Sequence, residues 1–296
     1  MKIFYHKDLD GECSAAIVNY HYSLYKPEVK PEFYAITYGE DFPWADIKED
    51  ERVYMVDFSL QPFSDMYRLN ALADLVWVDH HVTAINDYQA HLRIGGKEIA
   101  GRISKTNDPF NFAGCELTWR MFNWDTPYVP EAVALLGKYD VWDHEDKRVV
   151  PFQYGMRQHA NTHPSNNKLW FKFFEGSNIL LIDLITDTGK IVLSYQAKED
   201  AKACAKCAFE VTWGGLTYIV CNNPRNSSNV FDSVWDPKRH DAMMVFCLSS
   251  KGPWNVSLYS EGDVDVGKVA KAQGGGGHKN AAGFSCTKLP FYHKEM

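Results

Sequence analysis

No apolar run in these 296 residues approaches the roughly 20 needed to span a bilayer. The start, Met1-Lys2-Ile3-Phe4-Tyr5-His6, has neither the apolar stretch nor the cleavage site of a secretory signal, so a cytoplasmic location is expected. Positive charge is also scarce. Lys and Arg number 31 against 38 Asp and Glu, a net charge of −7, which argues against gripping long duplex nucleic acid through a broad basic face. A short phosphorylated substrate held by metal ions stays compatible, because bound cations offset carboxylates locally. Cysteine is present seven times, an odd number scattered along a large chain, which disfavours a disulfide framework and points to a reducing compartment. Cys204 and Cys207 form a Cys-x-x-Cys pair without a second pair or a histidine motif nearby, and their helical surroundings assign them to packing. With 45% hydrophobic and 14% aromatic residues, the chain is long enough for two domains with real cores.

What stands out is Asp79-His80-His81, directly after the apolar run Leu75-Val76-Trp77-Val78. Two imidazoles and a carboxylate at the end of a buried strand suit a divalent metal. The position recurs. Lys2 to Tyr5 reads as a strand running into His6-Lys7-Asp8-Leu9-Asp10-Gly11, followed by a helix with Cys13, Ala16, Ile17, Tyr20 and Leu24 on one face. Phe33 to Tyr38 reads as a second strand, and Arg52 to Val56 as a third that ends in Asp57. Pro62 opens a helix that runs to Ala73. Strands alternating with helices predict a parallel sheet in an α/β fold, where ligands bind beyond the carboxyl ends of the strands. Carboxylates at three successive strand ends would repel one another unless a cation sat among them. Asp140, after the helical segment Pro130 to Tyr139, is a plausible closing ligand.

From Tyr154 to Phe174 the pattern reads as irregular, with Arg157 a candidate cation near substrate. Lys190 to Cys207 then reads as a helix connecting two domains. The C-terminal part restarts with predicted strands at Leu216 to Cys221, Ala242 to Ser249 and Asn255 to Ser260, and a short helix at Val266 to Ala272. That helix runs into Gly274-Gly275-Gly276-Gly277-His278-Lys279. A backbone stripped of side chains there suggests close approach to a ligand, with His278 and Lys279 supplying charge.

These stretches together resemble the DHH phosphoesterase superfamily, in the subgroup with a DHH-associated C-terminal domain. His6-x-Asp8-x-Asp10-Gly11, Asp57, Asp79-His80-His81 and Asp140 are similar to its first four motifs, and Gly274 to His278 through Ala281-Ala282-Gly283 to the signature of its C-terminal domain. The resemblance covers nearly the whole chain, and its nearest look is to nano-RNases (oligoribonucleases), more loosely to RecJ-type exonucleases. It implies an N-terminal parallel-sheet α/β DHH domain (1–187), a linker helix (188–208) and a smaller α/β substrate-binding domain (209–296). A dinuclear manganese site, with magnesium possible, would lie in the cleft between the domains. The resemblance places His6, Asp8 and Asp57 around one ion and Asp10, Asp57, His80 and Asp140 around the other. Asp79 would orient a histidine, and His81 would serve as phosphate contact or acid. Gly275, Gly276, Gly277, His278 and, less directly, Arg225 would hold the substrate. The implied activity is hydrolysis of dinucleotides or short single-stranded oligonucleotides to mononucleotides. Alternatives of the same chemistry are a cyclic dinucleotide, a 3′-phosphorylated adenosine nucleotide, pyrophosphate or polyphosphate, or RecJ-like exonuclease action. An inactive nucleotide-binding scaffold would be marked by lost metal ligands, and none of the expected ones is missing.

Overall fold

The computed structural model describes residues 1–104, 112–176, 178–250, 252–277 and 279–291. The chain divides into two units, Met1–Val192 and Leu193–Met296.

In the first unit, strands β1 (Lys2–His6), β2 (Glu32–Ile36), β3 (Arg52–Val56), β4 (Asp74–Asp79) and β5 (Ala100–Ile103) form one sheet in the order β2-β1-β3-β4-β5. All four pairings are parallel, as expected. The period of two along each strand explains why both faces are covered. Phe4, Val53, Met55, Leu75 and Trp77 point to one side, against Met66 and Leu69 of α2 (Ser64–Leu72) and Tyr88 of α3 (Val82–Arg93). Ile3, Tyr5, Tyr54, Val56, Val76 and Val78 point to the other. There they meet Ala15, Val18 and Tyr22 of α1 (Leu9–Tyr25) and Leu117 of α4 (Gly114–Phe122). The chain leaves β1 for one neighbour, β2, and then returns to the other, β3. The resulting switch point lies at the carboxyl ends of β1 and β3, where an open α/β sheet binds its ligands.

A second layer is helical: α5 (Glu131–Asp140), α6 (Val149–Arg157), α7 (Asn167–Phe174) and the start of α8 (Ile179–Cys207) pack with α1 around Phe152, Leu169 and Trp170. This corrects the reading of 154–174 as irregular, and α8 starts eleven residues before Lys190. The physical reason is helix-on-helix contact. A Cβ at Gly155 would lie 1.9 Å from the Ile185 carbonyl oxygen, and one at Gly189 would lie 1.7 Å from that of Pro151. Two glycines that look like breaks instead let α6 and α8 touch backbone to backbone.

The second unit is a six-stranded sheet ordered β10-β11-β9-β8-β7-β6. Its strands are β6 (Ala208–Trp213), β7 (Leu216–Asn222), β8 (Ala242–Leu248), β9 (Trp254–Tyr259), β10 (Gly276–Gly277) and β11 (Ala281–Cys286). Only the β7–β8 pair is parallel. Helix α9 (Val266–Ala272) buries Val266 and Ala270 with Tyr218, Val220, Met244 and Leu258 on one face. Cys204 of α8, Val230 and Phe231 cover Ile219, Cys221, Met243 and Val245 on the other. The predicted mixture of a parallel α/β unit and a smaller α/β unit is what is observed.

Candidate metal centre

Three strand ends and two helix ends deliver the site of the first unit. Asp57, the first residue after β3, takes φ +55° yet still donates its N–H to the Val78 carbonyl at 2.8 Å. Few side chains other than Asn and Asp accept that backbone conformation readily. Asp57 is 1% exposed and Asp10, in the first turn of α1, 4%. Asp10 accepts the N–H groups of Gly114 and Cys115, both at 2.8 Å, so the N-terminus of α4 holds that carboxylate. Asp8 caps α1 by accepting the Gly11 N–H at 2.9 Å and lies 2.8 Å from His6 Nδ1. Gly11 is required at this turn, because a Cβ there would sit 2.2 Å from the His6 carbonyl oxygen.

His80 is the hub. Its Nε2 lies 3.2 Å from Asp57 Oδ1, 3.1 Å from Asp140 Oδ2 and 3.8 Å from Asp10 Oδ2. Yet Asp57 Oδ1 and His80 Nε2, both shielded from solvent, have no aligned hydrogen-bond partner. Two buried, unsatisfied ligand-type atoms facing one another are a costly arrangement that a cation would relieve. Among the described residues, three groups have ligand atoms within 4.8 Å of one another: His6 with Asp8 and Asp57, Asp10 with His80 and Asp140, and Asp57 with His80 and His81. Asp57 belongs to two of them. The donor set of imidazole and carboxylate fits a first-row divalent ion.

Electrostatics agree with a cluster built to hold a cation. Burial raises the Asp57 carboxyl well above the usual range, and the Asp10 charge adds to it. Burial likewise raises Asp10, reinforced by Asp140. Burial alone would lower His80, but Asp140, Asp57 and Asp10 outweigh it and push the imidazole up to about 12. Bound protons and a metal ion are alternative ways of neutralising this cluster. His81 stands apart. Its Nδ1 lies 2.7 Å from Asp79 Oδ1, which also accepts the His80 and His81 backbone N–H groups at 2.8 and 3.2 Å.

The structure therefore brings His6, Asp8, Asp10, Asp57, His80 and Asp140 together and sets Asp79 behind His81. Reading the sequence missed Gly114. A Cβ there would lie 2.7 Å from Asp57 Cβ and 3.0 Å from Asp10 Oδ2, so the site needs glycine at that point. The missed signal is the turn Ala113-Gly114 before an amphipathic segment. Also missed was Glu116, buried on α4, whose carboxyl is pushed up to about 7 by burial.

In the second unit, Arg225 is committed internally. Its guanidinium pairs with Asp200 and reaches Gln196 Oε1 at 3.3 Å. Most of the glycine run also has an internal reason. Gly274 has φ +80° and Gly277 φ +139°. A Cβ at Gly275 would meet the Gly283 carbonyl oxygen at 2.1 Å, and one at Gly277 would meet Ala282 Cα at 2.5 Å. Gly276 alone of the four has a negative-side backbone and open space over it. His278 lies outside the described residues.

Residues 218–294 match the DHHA1 domain family. This match falls in the C-terminal unit, where the resemblance to the DHH superfamily placed a DHH-associated domain. It is 25% identical over 313 residues to the uncharacterized protein R106 of Acanthamoeba polyphaga mimivirus, covering 95% of this chain and 67% of that protein. A solved DHH domain, described as from a member of the s1p family of ribosomal proteins, shares the fold. It aligns at TM-score 0.59 and 12% identity over 98% of this chain and 82% of that one. Exonuclease RecJ bound to manganese aligns at TM-score 0.48 and 13% identity, over 96% and 85% of the two chains.

Proposed function

We propose that this chain is a metal-dependent phosphodiesterase that hydrolyses dinucleotides or short oligonucleotides to mononucleotides. The observation that carries this reading is the buried, unpartnered pair Asp57 Oδ1 and His80 Nε2 where the residue groups overlap. His6, Asp8 and Asp57 would hold one divalent ion, and Asp10, Asp57, His80 and Asp140 a second, with Asp57 shared. Two such ions supply an activated water and neutralise charge on a phosphoryl group. Imidazole among the ligands favours manganese over the harder magnesium.

The chain's own groups do the rest. The α4 N–H groups fix both oxygens of Asp10, so this carboxylate cannot swing away. Asp79 accepts Nδ1–H of His81, which fixes the tautomer and leaves Nε2 as the other ring nitrogen. His81 would present Nε2 to a phosphoryl or leaving oxygen, with Asp79 holding the ring from behind. Gly276 is the residue of the second unit assigned to substrate contact, supported by the open space over it.

The test is to load the protein with manganese and offer dinucleotides, longer RNA and DNA, cyclic dinucleotides, adenosine bisphosphate and pyrophosphate, with products resolved by chromatography. Mononucleotides should form fastest from the dinucleotides, and chelation should abolish their formation. Undiminished hydrolysis in excess chelator, with metal content confirmed as zero, would sink the reading.

A further inference from the structure

Beside the metal centre lies a cavity of about 380 Å³ that the reading above does not use. Its size is within the range of roughly 300–1,000 Å³ common for small-molecule sites. Its walls come from the end of β2 with the loop after it, and from the β3–α2 connection. It adjoins the centre through two rings. Tyr38, 45% exposed, has its ring 5.9 Å from that of His6 and 6.3 Å from that of His81. Phe58, next to Asp57, lies 4.7 Å from Tyr38 and 6.0 Å from His6.

The lining has two chemistries. Tyr38, Phe42 and Trp44 offer aromatic surface over a floor of the buried Phe58, Ile36 and Leu60. Glu40, Asp41 and Asp65 supply the charge, and among the described residues no lysine or arginine lines the cavity. The cations at its border are engaged: Lys7 lies 3.8 Å from Glu40, and the Arg68 guanidinium lies 3.8 Å over the Trp44 ring. Glu40 also accepts the Thr37 N–H at 3.2 Å. The side chains of Asp41 and Asp65 make no hydrogen bond or ion pair among the described residues, so their acceptor capacity is unused.

We propose that this cavity is a nucleobase subsite that selects bases with adjacent N–H donors, guanine foremost. The inference rests on the phosphodiesterase reading for what brings a nucleotide there. Asp41 and Asp65, which have no counter-cation among the described residues, repel phosphate, which leaves the phosphate to the metal centre and the base to the cavity. Aromatic walls stack on any base face. Ionised carboxylates only accept hydrogen bonds. Guanine presents N1–H and the N2 amino group side by side to such an acceptor. Uracil presents one N–H between two carbonyl oxygens that the carboxylates repel.

Two measurements test this separately from the activity itself. The metal-free protein is titrated with guanosine and with uridine, followed by saturation-transfer NMR. The manganese-loaded protein is assayed on GpG and UpU for kcat/KM. Both are repeated for Asp41→Asn/Asp65→Asn, which keeps shape and removes charge, and for Thr37→Trp, which fills the cavity. Circular dichroism checks that both variants are folded. Guanosine should bind roughly tenfold or more tightly than uridine, and GpG should be favoured by a similar factor. Thr37→Trp should abolish guanosine binding, and the double variant should bring both ratios toward one with metal content unchanged. Equal binding of the two nucleosides, or a preference that survives in the folded double variant, would overturn the subsite. If neither dinucleotide is cleaved but guanosine still binds and Thr37→Trp blocks it, the subsite stands and the phosphodiesterase reading falls.

Discussion

In the second unit, buried Asp200 sits against Arg225, and buried His240 has Nε2 3.0 Å from Glu210. In the first, buried Asp10 and Asp57 share one imidazole, His80, which Asp140 also claims. The second unit thus pairs its buried polar groups with its own side chains. The first unit pools carboxylates around fewer positive groups and leaves ligand-type atoms unsatisfied. A self-paired charge is satisfied whatever the solution contains. A pooled set is a standing cost that falls only when a cation arrives, and such clusters are kept where chemistry needs them. The contrast separates a unit that would do chemistry from one whose charges serve its own packing.

The largest expected effect comes from breaking that contrast at Asp57. Asp57→Asn keeps a residue that tolerates φ +55° but removes the shared charge. Hydrolysis should fall to background and at least one metal equivalent should be lost. Manganese at a hundredfold its Kd should stabilise the unsubstituted protein by about 2.7 kcal/mol, and the Asp57→Asn variant should forfeit most of that. Without metal the sign reverses. The variant should be as stable as the parent or more so, because a repelled buried carboxylate is gone. Melts with and without manganese, alongside metal analysis, decide the matter. A variant that is weaker without metal and binds both ions normally would break the comparison.

A smaller effect is expected at Gly114, which lets α4 approach Asp57 and Asp10. Gly114→Ala places a methyl 2.7 Å from Asp57 Cβ. It should destabilise the chain by about 1–3 kcal/mol through overpacking. By displacing two ligands it should also weaken metal binding roughly tenfold to a hundredfold. Metal titration followed by urea melts would show both, whereas an unchanged metal affinity would mean that α4 merely flanks the site.

How much of this was legible follows from the same physics. The ends of β1, β3 and β4 could be read because buried parallel strands are continuous apolar runs, and the change to Asp-rich sequence marks where each leaves the sheet. Arg52–Val56 was read to the residue. The grip of α4 on Asp10 could not be read, because it joins residues 104 positions apart through backbone N–H groups that leave no side-chain signature. Helices α6 and α7 were hidden by Gly155 and by His159 and His163 between them, and the role of Gly155 appears only once α6 and α8 are in contact. Arg225 looked available because its partner Asp200 lies on the preceding helix, 25 residues away.

Glu116 sharpens the comparison on a pH axis. Burial raises its carboxyl from 4.5 to about 7, so the folded state holds the proton more tightly than the unfolded chain. That contribution is fully present below pH 4.5 and is lost as pH rises through 7. Glu116→Gln keeps the neutral shape at every pH. At about pH 8 without metal it should be more stable than the parent by about 1–3 kcal/mol, and at about pH 4.5 nearly equal. Denaturant midpoints at the two values measure this, and the same difference at both would assign the effect to packing instead of charge.

The smallest effect on stability is expected in the second unit, at Gly276. Its neighbours are held by the fold: Gly277 at φ +139° presses on Ala282 where β10 pairs with β11, and Gly275 lies against Gly283. Gly277→Ala should therefore cost about 1–3 kcal/mol, since alanine must either strain its backbone or push β11 away. Gly276→Ala meets open space and should change stability by no more than about 0.5 kcal/mol. That neutrality makes Gly276 the useful probe, because whatever a side chain there disturbs is not the unit itself. If substrate passes over this backbone, Gly276→Val should lower kcat/KM on a dinucleotide while leaving metal content and the melting midpoint unchanged. The loss should shrink on longer oligomers, which make more contacts elsewhere. A Gly276→Val protein with full efficiency on every substrate length would leave the glycine run with its packing role only.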